Sequence, residues 1–549
     1  MIPKRITLLA ILLVSQVTII CGQTTFKNPI VTGMNPDPSI CRVGDDFYLA
    51  TSTFEYFPGV PIYHSKDLVH WKLIGHALDS KTNCPLMGAG SSGGNYAPAL
   101  RYNNGTFYVS CTNYGGEGSQ GVFYVTATNP AGPWSDPVWI GNWYVDPSIM
   151  FANDSMYWVS PDNKGSFMVG TYDPEAKQFI KPLQLVASGL GGSSPEAPHM
   201  YKINDYYYLI SAEGGTGYEH RSVIQRSKSP YGPFEASPHN PVISNMKNPK
   251  SPFQAIGHSD LVQLQDGSWW LVCLGIRPKG GTYQHLGRET FLAPVSWTDE
   301  NWPIAGDKGV MMEEFHTPNL PGHTWEKEPV RDDFEKTALG LQWNFLRNPN
   351  DADWSLTERP GYLRLNGSKI SFKQKVSPAF VARRQTAFNV VASSKISFVP
   401  ETPNEEAGLI IRGDDRNHFD LVITMRNGKR VVMLRKYLQD QIDGTEYRQV
   451  SDGDIVLRIS ATDLQYKFWV QEKGNKAVLI GTAATQDIST EKIGGFTGAY
   501  IGMYASGNGR ANANPADFHW FDFDEDPKEP YSWSLLKEDL PNNSKHSNP

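Results

Sequence analysis

Short apolar, aromatic-rich runs bounded by polar turns set the texture of the first half of the chain. Five of them are Phe47-Tyr48-Leu49-Ala50, Phe107-Tyr108-Val109-Ser110, Tyr157-Trp158-Val159-Ser160, Tyr206-Tyr207-Tyr208-Leu209 and Trp269-Trp270-Leu271-Val272. None carries helical spacing, and aromatic and β-branched content of this kind suits strands. Each run follows, across a polar turn, one of five related stretches. These are Asn35-Pro36-Asp37-Pro38-Ser39-Ile40, Tyr96-Ala97-Pro98-Ala99-Leu100, Val145-Asp146-Pro147-Ser148-Ile149, Ser194-Pro195-Glu196-Ala197-Pro198-His199 and His258-Ser259-Asp260-Leu261-Val262. Aligned on positions 37, 97, 146, 196 and 260, they define a repeat of roughly 50–60 residues. The second half of a unit rhymes too: Ile62-Tyr63-His64-Ser65 leads to Leu68-Val69-His70-Trp71, and Val122-Phe123-Tyr124-Val125 to Pro130-Ala131-Gly132-Pro133-Trp134. Four strands per unit and five units predict a five-bladed β-propeller over residues 26–317, a ring that hides most strand edges.

From about Arg331 the repeat disappears. Trp354-Ser355-Leu356, Tyr362-Leu363-Arg364-Leu365 and further alternating runs near 380–384, 392–398, 407–412, 419–424, 429–434, 455–460, 464–470, 499–504 and 518–523 predict a β-sandwich over residues 330–526. The expected class is therefore all-β, a propeller followed by a sandwich. The stretch 318–329, with its prolines and Gly322, is the expected junction, and 527–549 reads as a polar tail.

The first residues read as an export signal over 1–22. Lys4 and Arg5 precede an apolar stretch to Ile20, too short for a stable membrane span. Export to the periplasm or beyond is expected, with a lipid anchor at Cys21 as a variant, although Ile20 is bulky for such a signal. A formal charge of −7 argues against nucleic acid as a partner, because phosphate binding needs a basic footprint. Cys41, Cys84, Cys111 and Cys273 show no C-x-x-C spacing, which makes zinc improbable. A Cys41–Cys84 disulfide is conceivable in an oxidising compartment. Gly116-x-Gly118-x-x-Gly121 matches a dinucleotide fingerprint, but a strand-like run follows where a helix is needed.

In a propeller, equivalent positions of different blades converge on a central funnel. Asp37, Asp146 and Glu196 place carboxylates at three such positions. Paired carboxylates are what glycoside hydrolysis needs: one protonates the leaving oxygen, the other activates water or attacks. Like charges in one place raise at least one pKa into a range useful for an acid. The plain alternative is that Asp-Pro merely forms turns, as at Asp136-Pro137 and Asp173-Pro174; equivalent placement in the repeat favours chemistry at Asp37 and Asp146.

Those three stretches resemble the catalytic signatures of glycoside hydrolase family 43, five-bladed propeller enzymes that cut xylosides and arabinofuranosides with inversion. The resemblance covers about residues 26–306. It implies Asp37 as the general base, Glu196 as the general acid and Asp146 as the carboxylate that tunes Glu196. It implies further that His258 holds water at the funnel centre, sometimes with a bound cation such as calcium, and that Arg288 grips sugar hydroxyls. Phe54 and Tyr96 match aromatic walls of the pocket; many xylosidases of the family have Trp where this chain has Tyr96. The second half is similar to the concanavalin-like sandwich that follows the propeller in exo-acting members. There a sandwich loop plugs the pocket, and Phe496 in Gly495-Phe496-Thr497-Gly498 is the candidate plug.

The expected function is an inverting exo-glycosidase that releases terminal α-L-arabinofuranosyl or β-D-xylosyl units from plant-polysaccharide fragments, with no organic cofactor. Tyr96 tilts the choice slightly toward arabinose, and the residues leave xylose open. The alternatives are an endo-arabinanase, a retaining fructan-cleaving propeller, and a carbohydrate-binding propeller without catalysis.

Overall fold

A computed structural model describes residues 25–141, 145–316, 320, 322–510 and 514–527. The expected export signal with Cys21, the tail beyond Pro527 and residues 317–319 and 321 of the junction lie outside the described residues.

Each of the five repeats is a four-stranded antiparallel sheet. The innermost strands, Ser39–Val43, Gly94–Asn103, Ser148–Ala152, Glu196–Ile203 and Gln254–Gln263, touch in sequence and close into a ring. The apolar runs read from the sequence are the second strands. At one repeated rung each buries a residue against an inner-strand partner: Leu49 with Ile40, Val109 with Leu100, Trp158 with Ile149, Leu209 with Met200 and Leu271 with Leu261. Burying a side chain of this size stabilises by roughly 1.5–3 kcal/mol, so the repeat of this rung is the repeat of the core. The ring is fastened where Thr25–Lys27 pairs with Glu314–His316.

The backbone corrects the repeat alignment in the last two units. A left-handed residue stands two places before the start of the unbroken ladder at Asp37, Asp146, Ala197 and His258, with φ of 57°, 61°, 52° and 54°. The equivalent positions are thus 37, 97, 146, 197 and 258. Glu196 sits one residue earlier than aligned, and His258, not Asp260, is the counterpart of Asp37. Asp260 instead lies two residues deeper and knots the blades together. It accepts from Ser39 Oγ at 2.6 Å, the Ile40 N–H at 2.9 Å, Arg101 at 2.8 and 3.1 Å, and the Tyr201 hydroxyl. Burial would raise its carboxyl, but Arg101 and His199 hold it well below the usual carboxylate range.

The second half forms two eight-stranded sheets packed face to face, with Leu409, Phe419, Leu421, Phe468 and Phe518 between them. One edge of this sandwich comes from the propeller. Tyr56–Phe57 pairs antiparallel with Asn344–Leu346, so a ladder crosses the expected domain border. Among the described residues helix is confined to a 3₁₀ turn at Thr485–Ile488 and a single turn at Thr490–Ile493. No helix among the described residues is long and apolar enough to cross a membrane. The conceivable Cys41–Cys84 disulfide is not formed: Cys41, Cys84, Cys111 and Cys273 are buried free thiols. Cys84 accepts from Asn95 Nδ2 at 2.9 Å and Cys111 donates to the Tyr96 carbonyl at 2.9 Å, as small packed polar groups.

Candidate active site

Asp37 reaches the funnel because its own backbone turns there. Asp tolerates the left-handed region better than most residues, and Pro36 and Pro38 stiffen both sides. Its carboxylate is buried. Ser52 Oγ donates to Oδ2 at 2.5 Å, and the Arg288 guanidinium lies 3.4 Å from Oδ2 and 3.3 Å from Oδ1. His258 Nδ1 stands 3.5 Å from Oδ1. Among the described residues none donates a well-aligned hydrogen bond to Oδ1, which leaves that buried lone pair as an acceptor in the funnel.

Asp146 and Glu196 complete the group. The backbone N–H of Ala197 lies against the Asp146 carboxylate, which fixes Asp146 beside the residue following Glu196. Burial pushes the Asp146 carboxyl well above its ordinary value, and the charges of Glu196 and Asp37 push it further, against Arg288. Burial also raises Glu196; Arg288 opposes this, Asp37 adds to it, and the carboxyl ends at about 7. Asp37 therefore raises both of its neighbours, and Glu196 raises Asp146. His258 is moved down by burial, against the pull of Asp37, which favours a neutral imidazole.

An aromatic wall closes one side. Phe54 is locked by paired backbone hydrogen bonds with Asn95, each 3.0 Å long, and Gly94 makes that approach possible. A Cβ on Gly94 would stand 2.2 Å from the Phe54 carbonyl oxygen. Tyr96 meets Phe54 edge-on at 5.2 Å, and Phe496 stacks on Phe54 at 5.3 Å and meets Tyr96 edge-on at 5.9 Å. The Arg288 guanidinium lies 4.8 Å from the Phe496 ring centre and 5.7 Å from that of Phe54. One arginine thus links the carboxylate to the wall.

The loop that carries Phe496 is tied to the segment that carries Arg288: Thr490 N–H donates to the Gln284 carbonyl at 3.1 Å and Ala499 N–H to that of His285 at 2.7 Å. All eight residues singled out from the sequence, Asp37, Phe54, Tyr96, Asp146, Glu196, His258, Arg288 and Phe496, converge on this funnel. Sequence reasoning missed Ser52 and Ser92. Ser52 had a faint signal, a small polar residue just past the first apolar run; Ser92, in a glycine-rich turn, had none.

Carboxylates gathered beside an aromatic wall, in the funnel of a closed ring of blades, are the set that proton transfer at a glycosidic bond calls for. The fold and the funnel define a glycoside hydrolase. Residues 26–303 match the family model "Glycosyl hydrolases family 43", and residues 331–524 match "Beta xylosidase C-terminal Concanavalin A-like domain". The chain belongs to glycosyl hydrolase family 43.

Among its relatives, a non-reducing end alpha-L-arabinofuranosidase from Bacteroides ovatus is 64% identical over 504 residues, covering 91% of this chain and 95% of that protein. A xylan 1,3-beta-xylosidase from Vibrio sp. is 35% identical, covering 91% of this chain and 99% of the relative. Of solved structures, a Bacteroides ovatus GH43B of a xyloglucan PUL superposes with a TM-score of 0.90 at 65% identity, covering 91% of this chain and 99% of that one. A xylan beta-1,4-xylosidase from Bacillus halodurans superposes with a TM-score of 0.86 at 35% identity, covering 90% and 99%.

Proposed function

We propose that this protein is an inverting, exo-acting α-L-arabinofuranosidase that removes single terminal units from the non-reducing ends of plant cell-wall oligosaccharides. The observation that carries the mechanism is the contrast between two carboxylates in one funnel. Glu196 is raised to about 7 and so keeps a proton to give near neutrality. Asp37 is held by Ser52 and faces Arg288, with Oδ1 left to accept.

In the proposed single displacement, Glu196 protonates the glycosidic oxygen as the bond from that oxygen to the anomeric carbon breaks. Water attacks the opposite face of that carbon and yields its proton to Asp37. Asp146, against which the Ala197 N–H lies, orients the acid beside it, while burial and the charge of Asp37 keep Glu196 protonated. Neutral His258 and Arg288 position water, Asp37 and sugar hydroxyls. Phe496 on Phe54 walls one side of the pocket, which supports removal of end units rather than cutting within a chain.

The choice of arabinose rests on the 64% identical relative, and the departure at Tyr96 agrees with it. The Vibrio and Bacillus relatives favour β-xylosides as the second reading. No step calls for an organic cofactor. A calcium ion near His258 fits poorly, because the adjoining Asp37 Oδ1 already faces the Arg288 cation at 3.3 Å, so no step is assigned to a cation. Export, with or without an anchor at Cys21, belongs to the same proposal and rests on residues 1–22; amino-terminal sequencing of protein recovered from its natural source tests it.

Rates on 4-nitrophenyl α-L-arabinofuranoside and β-D-xyloside, with the first-formed anomer followed by NMR, test the whole reading. Faster cleavage of the arabinoside with inversion is expected. Retention of configuration would overturn the mechanism, and a faster xyloside would overturn the sugar.

A further inference from the structure

Ser92 is left-handed, with φ of 66°, in the turn before the inner strand Gly94–Asn103. Its three polar groups go to three different partners, two of them residues of the pocket wall. Its N–H donates to Glu55 Oε2 at 3.0 Å. Its Oγ accepts from the Phe496 N–H at 2.8 Å. Its carbonyl accepts from the Tyr96 hydroxyl at 2.7 Å.

The turn is clamped from both domains. Arg412 of the sandwich, fully buried, holds Glu55 Oε1 with both terminal nitrogens at 3.3 Å, and reaches Ser91 Oγ at 3.2 Å and Asp415 Oδ1 at 2.8 Å. The Asp415 N–H donates to Ser91 Oγ at 3.0 Å. Neighbouring serines therefore divide the work. Ser91 ties the turn to the body of the sandwich, and Ser92 ties it to the sandwich loop that enters the pocket. The approach on the loop side is tight: a Cβ on Gly495 would stand 2.4 Å from Ser92 Oγ.

We propose that Ser92 is a positioning residue that sets the spacing between Tyr96 and Phe496, and through it the pocket's grip on the terminal sugar. Tyr96 hangs from its carbonyl and Phe496 from its hydroxyl, so the two rings of the wall share one anchor. The hydroxyl contributes nothing to the proton transfers; its effect is on where the wall stands. This deepens the exo-glycosidase reading and rests on it.

The test is Ser92→Ala, which keeps both backbone contacts and deletes only the acceptor for Phe496. KM should rise about three- to tenfold, the size of one net hydrogen bond, with kcat within about twofold. In a Phe496→Ala background the same substitution should have no further effect on KM, because the backbone N–H that Ser92 holds remains but the ring it places is gone. A merely structural role would instead lower Tm and act equally in both backgrounds. That outcome, or an unchanged KM in the single variant, overturns the proposal. The comparison is run on whichever aryl glycoside the unaltered protein cleaves faster, so a wrong sugar assignment shows in its own rates and leaves this test intact.

Discussion

Phe496 of the sandwich lies stacked on Phe54 of the propeller, ring centres 5.3 Å apart and planes 22° apart. The contact joins residues from opposite halves of the chain at the wall of the proposed sugar pocket. The same two domains also share a β-ladder and a buried ion pair. Phe496→Ala should open the wall. The expected result is at least a tenfold loss in kcat/KM on single-unit aryl glycosides, carried mainly by KM, since an aromatic pair and its buried area are lost. Steady-state kinetics check this; unchanged KM would mean that the ring only packs.

Glu196 should govern the alkaline limb of the pH profile. The acid must carry its proton, and a carboxyl raised to about 7 keeps it at pH 6, where an ordinary glutamate has lost it. Log kcat/KM should therefore fall with unit slope as pH rises past about 7. Glu196→Gln should abolish that limb and cost roughly 10²–10⁴-fold in rate on 4-nitrophenyl substrates. The loss should shrink on a 2,4-dinitrophenyl glycoside, whose leaving group needs little protonation. An equal loss on both substrates would remove Glu196 from the acid role.

Asp37→Asn should leave substrate binding largely intact and cost a similar roughly 10²–10⁴-fold in kcat. Azide needs no general base, so added sodium azide should restore turnover and form a glycosyl azide of inverted configuration. A product of retained configuration would make another carboxylate the nucleophile.

Arg412→Met should destabilise the domain junction strongly. Glu55 and Arg412 are both buried, and removing one partner strands the other's charge, at a cost of roughly 3–5 kcal/mol. Burial already raises Glu55 above its ordinary range in spite of Arg412, so the unpaired carboxyl is expected to take up a proton. Adding Glu55→Gln should recover part of the loss. Thermal unfolding of the two variants measures both effects; an Arg412→Met protein as stable as the parent would show that the pair contributes nothing.

The repeat of apolar runs was legible in the sequence because each blade must bury the same rung, such as Leu49 against Ile40 or Val109 against Leu100, and burial leaves a local pattern. Asp37 and Asp146 were legible for the same reason, since symmetry gives them equivalent places, and Glu196 lies one residue before its own. Phe54, His258, Arg288 and Phe496 were found only through the family resemblance. The repeat by itself misplaced its last two units, pairing Asp260 with Asp37, because side-chain identity does not report which residue takes the left-handed turn.

What tertiary structure alone decided lies between segments distant in the chain. A two-residue strand at Tyr56–Phe57 completes a sandwich sheet, and Arg412 pairs with Glu55. Ser92 holds Tyr96 and Phe496 at once. Such contacts depend on how two finished surfaces fit, and neither periodicity nor local propensity carries that information. Sequence set the blades and named the acids; docking set the pocket's shape, because a wall shared by two domains exists only once both have folded.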